Sequence, residues 1–196
     1  PVRQAMAWVN AGEIGKVQVM KAKFGFAMDF DPESRVYNPD LAGGALLDVG
    51  IYPVALAGLL MQKHPSSIQA VAKKGPSDVD HTTLMHLRYE DDVLAQLDCS
   101  VENHTTHDAW IYGSEGFIHI PDFWRARRAF MKNRRKKLTF EDPRESLGYN
   151  YEIEAMNTML LEGITESAVM PFEASFRNIG VLDKVRDIIG LKYPDE

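Results

Sequence analysis

Asp48 and Tyr52 are the two side chains whose types and spacing most clearly indicate chemistry. They lie in an apolar run over residues 43–52 (GGALLDVGIY), where Asp48 is the only carboxylate between Asp40 and Asp78. If this run is helical, the two groups share one face, one turn apart. A phenol near a cation can pass a proton to or from a substrate hydroxyl, and a neighbouring carboxylate can orient it. The alternative is an aspartate that complements a helix dipole and a tyrosine that packs in the core.

Two further side chains are candidates for substrate contacts. Arg35 lies in the polar segment just before the apolar run, where it either binds a substrate hydroxyl or carboxylate or is solvated in a loop. Phe172 follows Met170 and Pro171 and either forms a wall of the pocket or packs in the core.

A cluster of positive charge lies within residues 125–137, which hold eight basic side chains and no acidic one in a chain of net charge −6. Lysine and arginine commonly occupy edge strands, where they prevent pairing with another chain, and we expect that here. A nucleic-acid surface has little support, because Phe130 is the only aromatic residue among these cations. A contact with a cofactor 2′-phosphate is a third interpretation.

The six histidines do not define a metal site. His104 and His107 are three residues apart, and His81 and His86 are five apart, but no cysteine or glutamate cluster completes a zinc ligand set. We therefore predict no metal and assign these histidines to polar positions on strands and loops.

The composition is that of an ordinary globular protein, with 196 residues, 45% hydrophobic and 26% charged. The apolar stretch over 41–61 comes nearest to the roughly 20 residues that span a bilayer, but its glycines, Asp48 and Pro53 interrupt it. A single cysteine, Cys99, excludes an internal disulfide and suits a reducing compartment. We see no secretory signal and expect a cytoplasmic protein without a membrane or nucleic-acid partner.

Periodicity predicts the order helix, strand, helix, a run of hairpins and two closing helices. The predicted helices cover residues 2–10, about 45–61, about 151–162 and about 173–189. The predicted strands cover residues 16–26, 67–74, 79–89, 93–102, 108–113, 116–120 and 123–131, with a polar loop over 133–148. Pro53 lacks a backbone donor, so the second helix must kink or begin later than Ala45. The pattern indicates an α+β fold, in which a mostly antiparallel sheet has helices packed on one face and the other face open for oligomerisation.

Several motifs together resemble the glucose–fructose oxidoreductase and inositol dehydrogenase family. The run over 43–52 is similar to the family's signature. Residues 12–17 are similar to the segment that enters the first strand of the family's second domain, and residues 111–118 are similar to a late hairpin of that domain. Residues 151–152, 163, 166–167, 170–171 and 190–194 are similar to its closing helices. Many family members carry histidine four residues after the aspartate, whereas Tyr52 stands here, as in the branch of dimeric dihydrodiol dehydrogenases (NADP-dependent xylose dehydrogenases).

The resemblance implies a domain assignment and a function. Residues 1–196 correspond to a single C-terminal substrate-binding and oligomerisation domain, and the family's N-terminal Rossmann domain, with its Gly-x-Gly-x-x-Gly loop and catalytic lysine, is absent from this chain. The complete enzyme is expected to transfer a hydride between NAD or NADP and a sugar or cyclic diol, as a homodimer or higher oligomer. Tyr52 and Asp48 are then catalytic, Arg35 and Phe172 bind substrate, and no cofactor-binding residue can be named. A non-catalytic ligand-binding or assembly module on the same fold is the alternative.

Overall fold

An eight-stranded sheet is the main element of the computed structural model, which describes residues 1–194 and 196. Its spatial order is β2-β3-β4-β1-β5-β6-β7-β8. The strands are β1 (Val17–Gly25), β2 (Ser67–Lys74), β3 (Asp80–Arg88), β4 (Leu94–Ser100), β5 (Ala109–Gly113), β6 (Gly116–Ile120), β7 (Arg128–Asn133) and β8 (Lys137–Glu141). β1 and β4 run parallel, and the other six neighbouring pairs are antiparallel. The sheet is therefore mixed but mostly antiparallel.

Three of the four helices in the described residues cover one face of this sheet. The helices are α1 (Val2–Asn10), α2 (Ile51–Met61), α3 (Tyr149–Glu162) and α4 (Phe172–Ile189). α1 contacts β6 and β7, α2 contacts β1 and β4, and α4 contacts β2 and α2. Alternate residues of the strands, such as Met20, Leu97 and Ile111, are fully buried on this face, as the period of two in a half-buried strand requires. The predicted α+β class is confirmed.

The strand prediction fails on the C-terminal side of the sheet. Residues 123–125 form a 3₁₀ turn, because Asp122 adopts a left-handed conformation (φ 46°), and β7 begins only at Arg128. The segment predicted as loop contains β8, in which Leu138 and Phe140 pack against the core. The charged residues around β8 obscured its short alternation of apolar and polar side chains in the sequence.

The segment Pro39–Met61 is long and apolar enough, by length and composition alone, to cross a membrane, with a mean hydropathy of 1.8. The segment is long and apolar enough even though its glycines, Asp48 and Pro53 interrupt the apolar stretch. In the fold, 56% of its most apolar window is buried inside the domain, and it supplies the core helix that lies across β1 and β4.

Candidate active site

The helix that carries Asp48 and Tyr52 begins with an unusual turn. Leu46–Gly50 forms a single π turn, and α2 continues directly from Ile51. Ala45 is already helical, so the helix does not begin later than Ala45, and its irregularity is the π turn that precedes Pro53. Single π turns inside helices occur frequently at functional sites. Asp48 lies in this turn, and Tyr52 is the second residue of α2.

The glycine pair before this turn has a steric explanation. Gly44 has φ +120°, and a Cβ atom there would lie 2.3 Å from Asp80 Oδ1. At Gly43, a Cβ atom would lie 2.8 Å from the carbonyl oxygen of Asn38. Side chains are therefore excluded at both positions, by conformation and space at Gly44 and by space at Gly43.

Asp80, which the sequence analysis did not single out, anchors the start of this helix. Its Oδ2 accepts hydrogen bonds from the Leu46 backbone N–H at 2.8 Å and the Thr83 hydroxyl at 2.6 Å. Asp80 is fully buried, and burial raises the pKa of its carboxyl group to about 6. The sequence signal that could have identified Asp80 is an acidic residue at an inward-facing position of the strand predicted over residues 79–89.

Asp48 is paired with the predicted substrate residue Arg35. The Arg35 Nη1 donates to Asp48 Oδ1 at 2.5 Å, and the two side chains are 69% and 16% exposed. The hydrogen bond to Asp48 is the largest cause that raises the pKa of Arg35. The structure thus pairs Arg35 with Asp48, in the turn that precedes Tyr52.

The ring of Tyr52 belongs to a stack of aromatic side chains. It lies parallel to Phe24, with centroids 4.6 Å apart and planes at 11°. Phe24 is also parallel to His107, at 4.5 Å and 9°, so it lies between the two rings. The edge of Trp124 meets Phe24 and Tyr52 at 5.4 and 6.3 Å. Contacts of this kind orient rings in addition to burying them, so they restrict the ring of Tyr52.

Two hydrogen bonds define the tautomer of His107. Trp124 Nε1–H, which can only donate, lies 3.1 Å from His107 Nδ1. His107 Nε2 lies 2.8 Å from the Gly25 carbonyl oxygen, which can only accept. Nδ1 is therefore an acceptor and Nε2 carries the proton. These contacts fix the orientation of the imidazole, which supports the stack.

Tyr52 borders an open cleft of about 890 Å³. Phe123 and Trp124 form the adjoining wall, and further lining comes from the start of α1 and from α3, including Arg3 and Tyr151. Tyr52 is 40% exposed. Its phenol is therefore accessible to a small molecule, beside aromatic walls.

Phe172 does not lie with the other predicted site residues. It is the first residue of α4, is 62% exposed, and is not among the residues that line this cleft. It is neither a core residue nor a wall of the Tyr52 cleft, so its predicted substrate contact has no support in this geometry.

The basic run contributes to the hairpin at the edge of the sheet. β8 is the edge strand, Arg128 pairs with Glu141 and Lys136 pairs with Glu13. Within residues 1–194 and 196, no group of three or more His, Cys, Asp or Glu side chains is arranged to hold a metal ion.

Comparison with known proteins identifies the family to which this fold belongs. A family model described as the GFO/IDH/MocA C-terminal domain matches residues 2–119. The chain therefore belongs to the GFO/IDH/MocA family. Within it, trans-1,2-dihydrobenzene-1,2-diol dehydrogenase of Mus musculus is 29% identical over 94% of this chain and 57% of the relative. The Homo sapiens protein of the same name is 28% identical over 100% of this chain and 61% of the relative. The chain thus spans about three fifths of the length of these relatives.

Solved structures show the same fold. A 3-ketoreductase from Actinomadura kijaniata, in complex with NADP and TDP-benzene, has a TM-score of 0.80 at 24% identity, covering 95% of this chain and 58% of that chain. An aldose-aldose oxidoreductase from Caulobacter crescentus, in complex with glycerol, has a TM-score of 0.82 at 18% identity, covering 95% and 57%.

Proposed function

We propose that this chain is the substrate-side domain of an NAD(P)-dependent oxidoreductase that acts on the CH–OH group of a sugar-like or cyclic diol substrate. The observation that carries the proposal is the partly exposed Tyr52 at an aromatic cleft, on the helix whose preceding turn carries Asp48, the partner of Arg35. Membership of the family and the dehydrogenase relatives support it.

The chemistry assigned to Tyr52 is proton transfer. In the oxidative direction, a bound nicotinamide would accept the hydride released when the C–H bond of the carbinol carbon breaks. The substrate O–H proton would pass to the phenolate form of Tyr52, which becomes the neutral phenol, and the carbon–oxygen bond would become a carbonyl. Asp48, paired with Arg35, lies in the turn that precedes Tyr52, and the aromatic stack limits the orientations of the Tyr52 ring. General acid–base groups held in this way typically contribute about 10²–10⁴ in rate.

The cofactor fits this chain only in part. The walls formed by Tyr52, Phe123 and Trp124 suit a flat ring, and NAD or NADP would supply or accept the hydride there. The sequence has no Gly-x-Gly-x-x-Gly loop to bind the phosphates at a helix N-terminus. We therefore assign the dinucleotide mainly to a separate N-terminal Rossmann domain, and we expect residues 1–196 alone to be inactive.

The second face of the sheet is the proposed homodimer interface. It carries Trp110, Tyr112, Phe117, His119 and Phe130 as a continuous group of neighbouring rings, in which Trp110 stacks on His119 at 3.9 Å. Leu84 and Leu94 on the same sheet are 48% and 47% exposed. Aromatic patches of this kind are enriched in protein interfaces, and a second copy of this face is the proposed occupant. We further propose that the protein functions in the cytoplasm.

The test is the reading frame that encodes the natural protein, followed by an assay of its product. A Gly-x-Gly-x-x-Gly motif and a Glu-Lys-Pro motif upstream of residue 1 are expected, together with reduction of NAD or NADP by at least one member of a panel of sugars and diols. A product with neither motif and no activity on the panel would favour a non-catalytic ligand-binding module and overturn the proposal.

A further inference from the structure

The glycine pair is held from two sides by residues that are distant in the sequence. On one side, buried Asp80 accepts the Leu46 N–H. On the other side, the Tyr193 hydroxyl, from the segment that follows α4, donates to the Gly43 carbonyl oxygen at 2.7 Å. The start of the helix is therefore fixed between β3 and the C-terminal segment.

The surroundings of Asp80 are unusual for a residue that accepts the Leu46 N–H hydrogen bond. The carboxylate is fully buried, and among the residues that the structure describes its Oδ1 has no hydrogen-bond partner and lies against Gly44. The titratable groups that act on it or feel its charge are Lys74, Cys99 and Tyr193. Burying a carboxylate with an unsatisfied oxygen costs free energy of folding. This cost indicates that Asp80 has a function that an apolar side chain could not perform.

Leu46 is the first residue of the π turn that carries Asp48 and continues into the helix of Tyr52. A hydrogen-bonded helix moves as a unit, so a shift at Leu46 is transmitted to both side chains. A displacement of about 1 Å at reacting groups can lower a rate by about 10²-fold. We propose that Asp80 and Tyr193 are positioning residues, which fix the start of this helix so that Tyr52 meets the cleft in reactive geometry.

This inference rests on the proposed oxidoreductase function, and its test uses the complete natural protein. The variants are D80A, which removes the acceptor, D80N, which restores an acceptor without charge, and Y193F, which removes only the hydroxyl. Asp98→Ala serves as the control, because Asp98 lies in β4 and is only half-buried. Two measurements are made: amide hydrogen exchange over residues 46–52, and kcat and KM with the preferred substrate and cofactor.

D80A is expected to increase exchange over residues 46–52 at least about tenfold and to lower kcat about 10–100-fold with KM within about twofold. Y193F is expected to lower kcat about threefold to tenfold in the same way, while D80N recovers most of the rate and D98A matches the wild type. If D80A does not fold, the kcat values of Y193F and D80N test the positioning role instead.

The outcomes separate this inference from the proposed function. An active wild-type enzyme whose D80A or Y193F variants keep kcat within about twofold would overturn the positioning role alone. Loss of rate that D80N does not restore, or that appears entirely in KM, would also overturn it. A wild-type protein without dehydrogenase activity would overturn both.

Discussion

The ring of Tyr52 lies parallel to the ring of Phe24, with centroids 4.6 Å apart and planes at 11°. Phe24 is on β1 and Tyr52 is on α2, so this contact joins the sheet to the helix that carries the proposed acid–base group. The sheet thereby determines where the phenol points, and the cleft receives a ring of restricted orientation.

Replacement of Phe24 tests this contact. Phe24→Leu retains most of the apolar volume but removes the stack, so we expect kcat to fall about tenfold with little change in the fold. Phe26→Leu is the matched control, because Phe26 packs partly buried against the same core outside the stack. Steady-state kinetics of both variants in the complete enzyme make the comparison, and equal effects would show that Phe24 has no special relation to Tyr52.

The Arg35–Asp48 pair is expected to matter for rate more than for stability. Arg35 is 69% exposed at its side chain, so its removal should change the free energy of unfolding by less than about 1 kcal/mol. Arg35→Ala should nevertheless lower kcat/KM about 10–100-fold, because it leaves Asp48 unpaired beside Tyr52. Arg88→Ala, which breaks an exposed pair with Asp92, should change neither quantity. Unchanged kcat/KM in Arg35→Ala would contradict the assigned role.

Asp80 should make stability depend on pH in a defined direction. Burial raises the pKa of its carboxyl from 3.8 to about 6, so the native state takes up this proton at a higher pH than the unfolded chain. The resulting stabilisation is complete below about pH 3.8 and is lost as the pH rises through about 6. At about 1.36 kcal/mol per pKa unit, the full effect is roughly 3 kcal/mol.

Denaturant unfolding of the wild type and Asp80→Asn between pH 4 and 7 measures this contribution. The free energy of unfolding of the wild type should fall relative to that of the variant as the pH rises. Other carboxylates titrate equally in both proteins and cancel in the difference. Two parallel pH profiles would show that Asp80 does not titrate in this range.

The aromatic face of the sheet should determine oligomeric state. Trp110→Glu places a charge at the centre of the stacked rings, and we expect it to convert a dimer into monomers by light scattering after gel filtration. Leu161→Glu alters a residue that is 89% exposed on α3 and should leave the dimer intact. A Trp110→Glu protein that remains dimeric would place the interface elsewhere.

The elements with strong local periodicity were predictable from sequence. The helix over 2–10 and the strand over 67–74 coincide with α1 and β2, because one face of each supplies a clear apolar repeat. β8 was missed, because its two apolar residues lie within a long charged segment. For the candidate site, the sequence indicated residues 43–52, since a lone carboxylate in an apolar run is itself informative, and the catalytic roles of Asp48 and Tyr52 stay predictions.

The remainder of the site depends on contacts between distant segments. Phe24, Tyr52 and His107 stack across three separate elements of the chain, and Tyr193 reaches Gly43 over 150 residues. No local pattern encodes such contacts. Phe172 lies outside the residues that line the Tyr52 cleft, and its substrate contact stays a prediction, because a position after a proline says nothing about which cavity a side chain reaches.

Tyr52→Phe in the complete natural enzyme determines whether the Tyr52 phenol transfers the substrate proton, as proposed. This change keeps the ring and its stack on Phe24 and removes only the hydroxyl. We predict that kcat falls by about 10²–10⁴ while substrate affinity and the free energy of unfolding stay near the wild-type values. A Tyr52→Phe enzyme that retains wild-type kcat across the pH range would contradict the account.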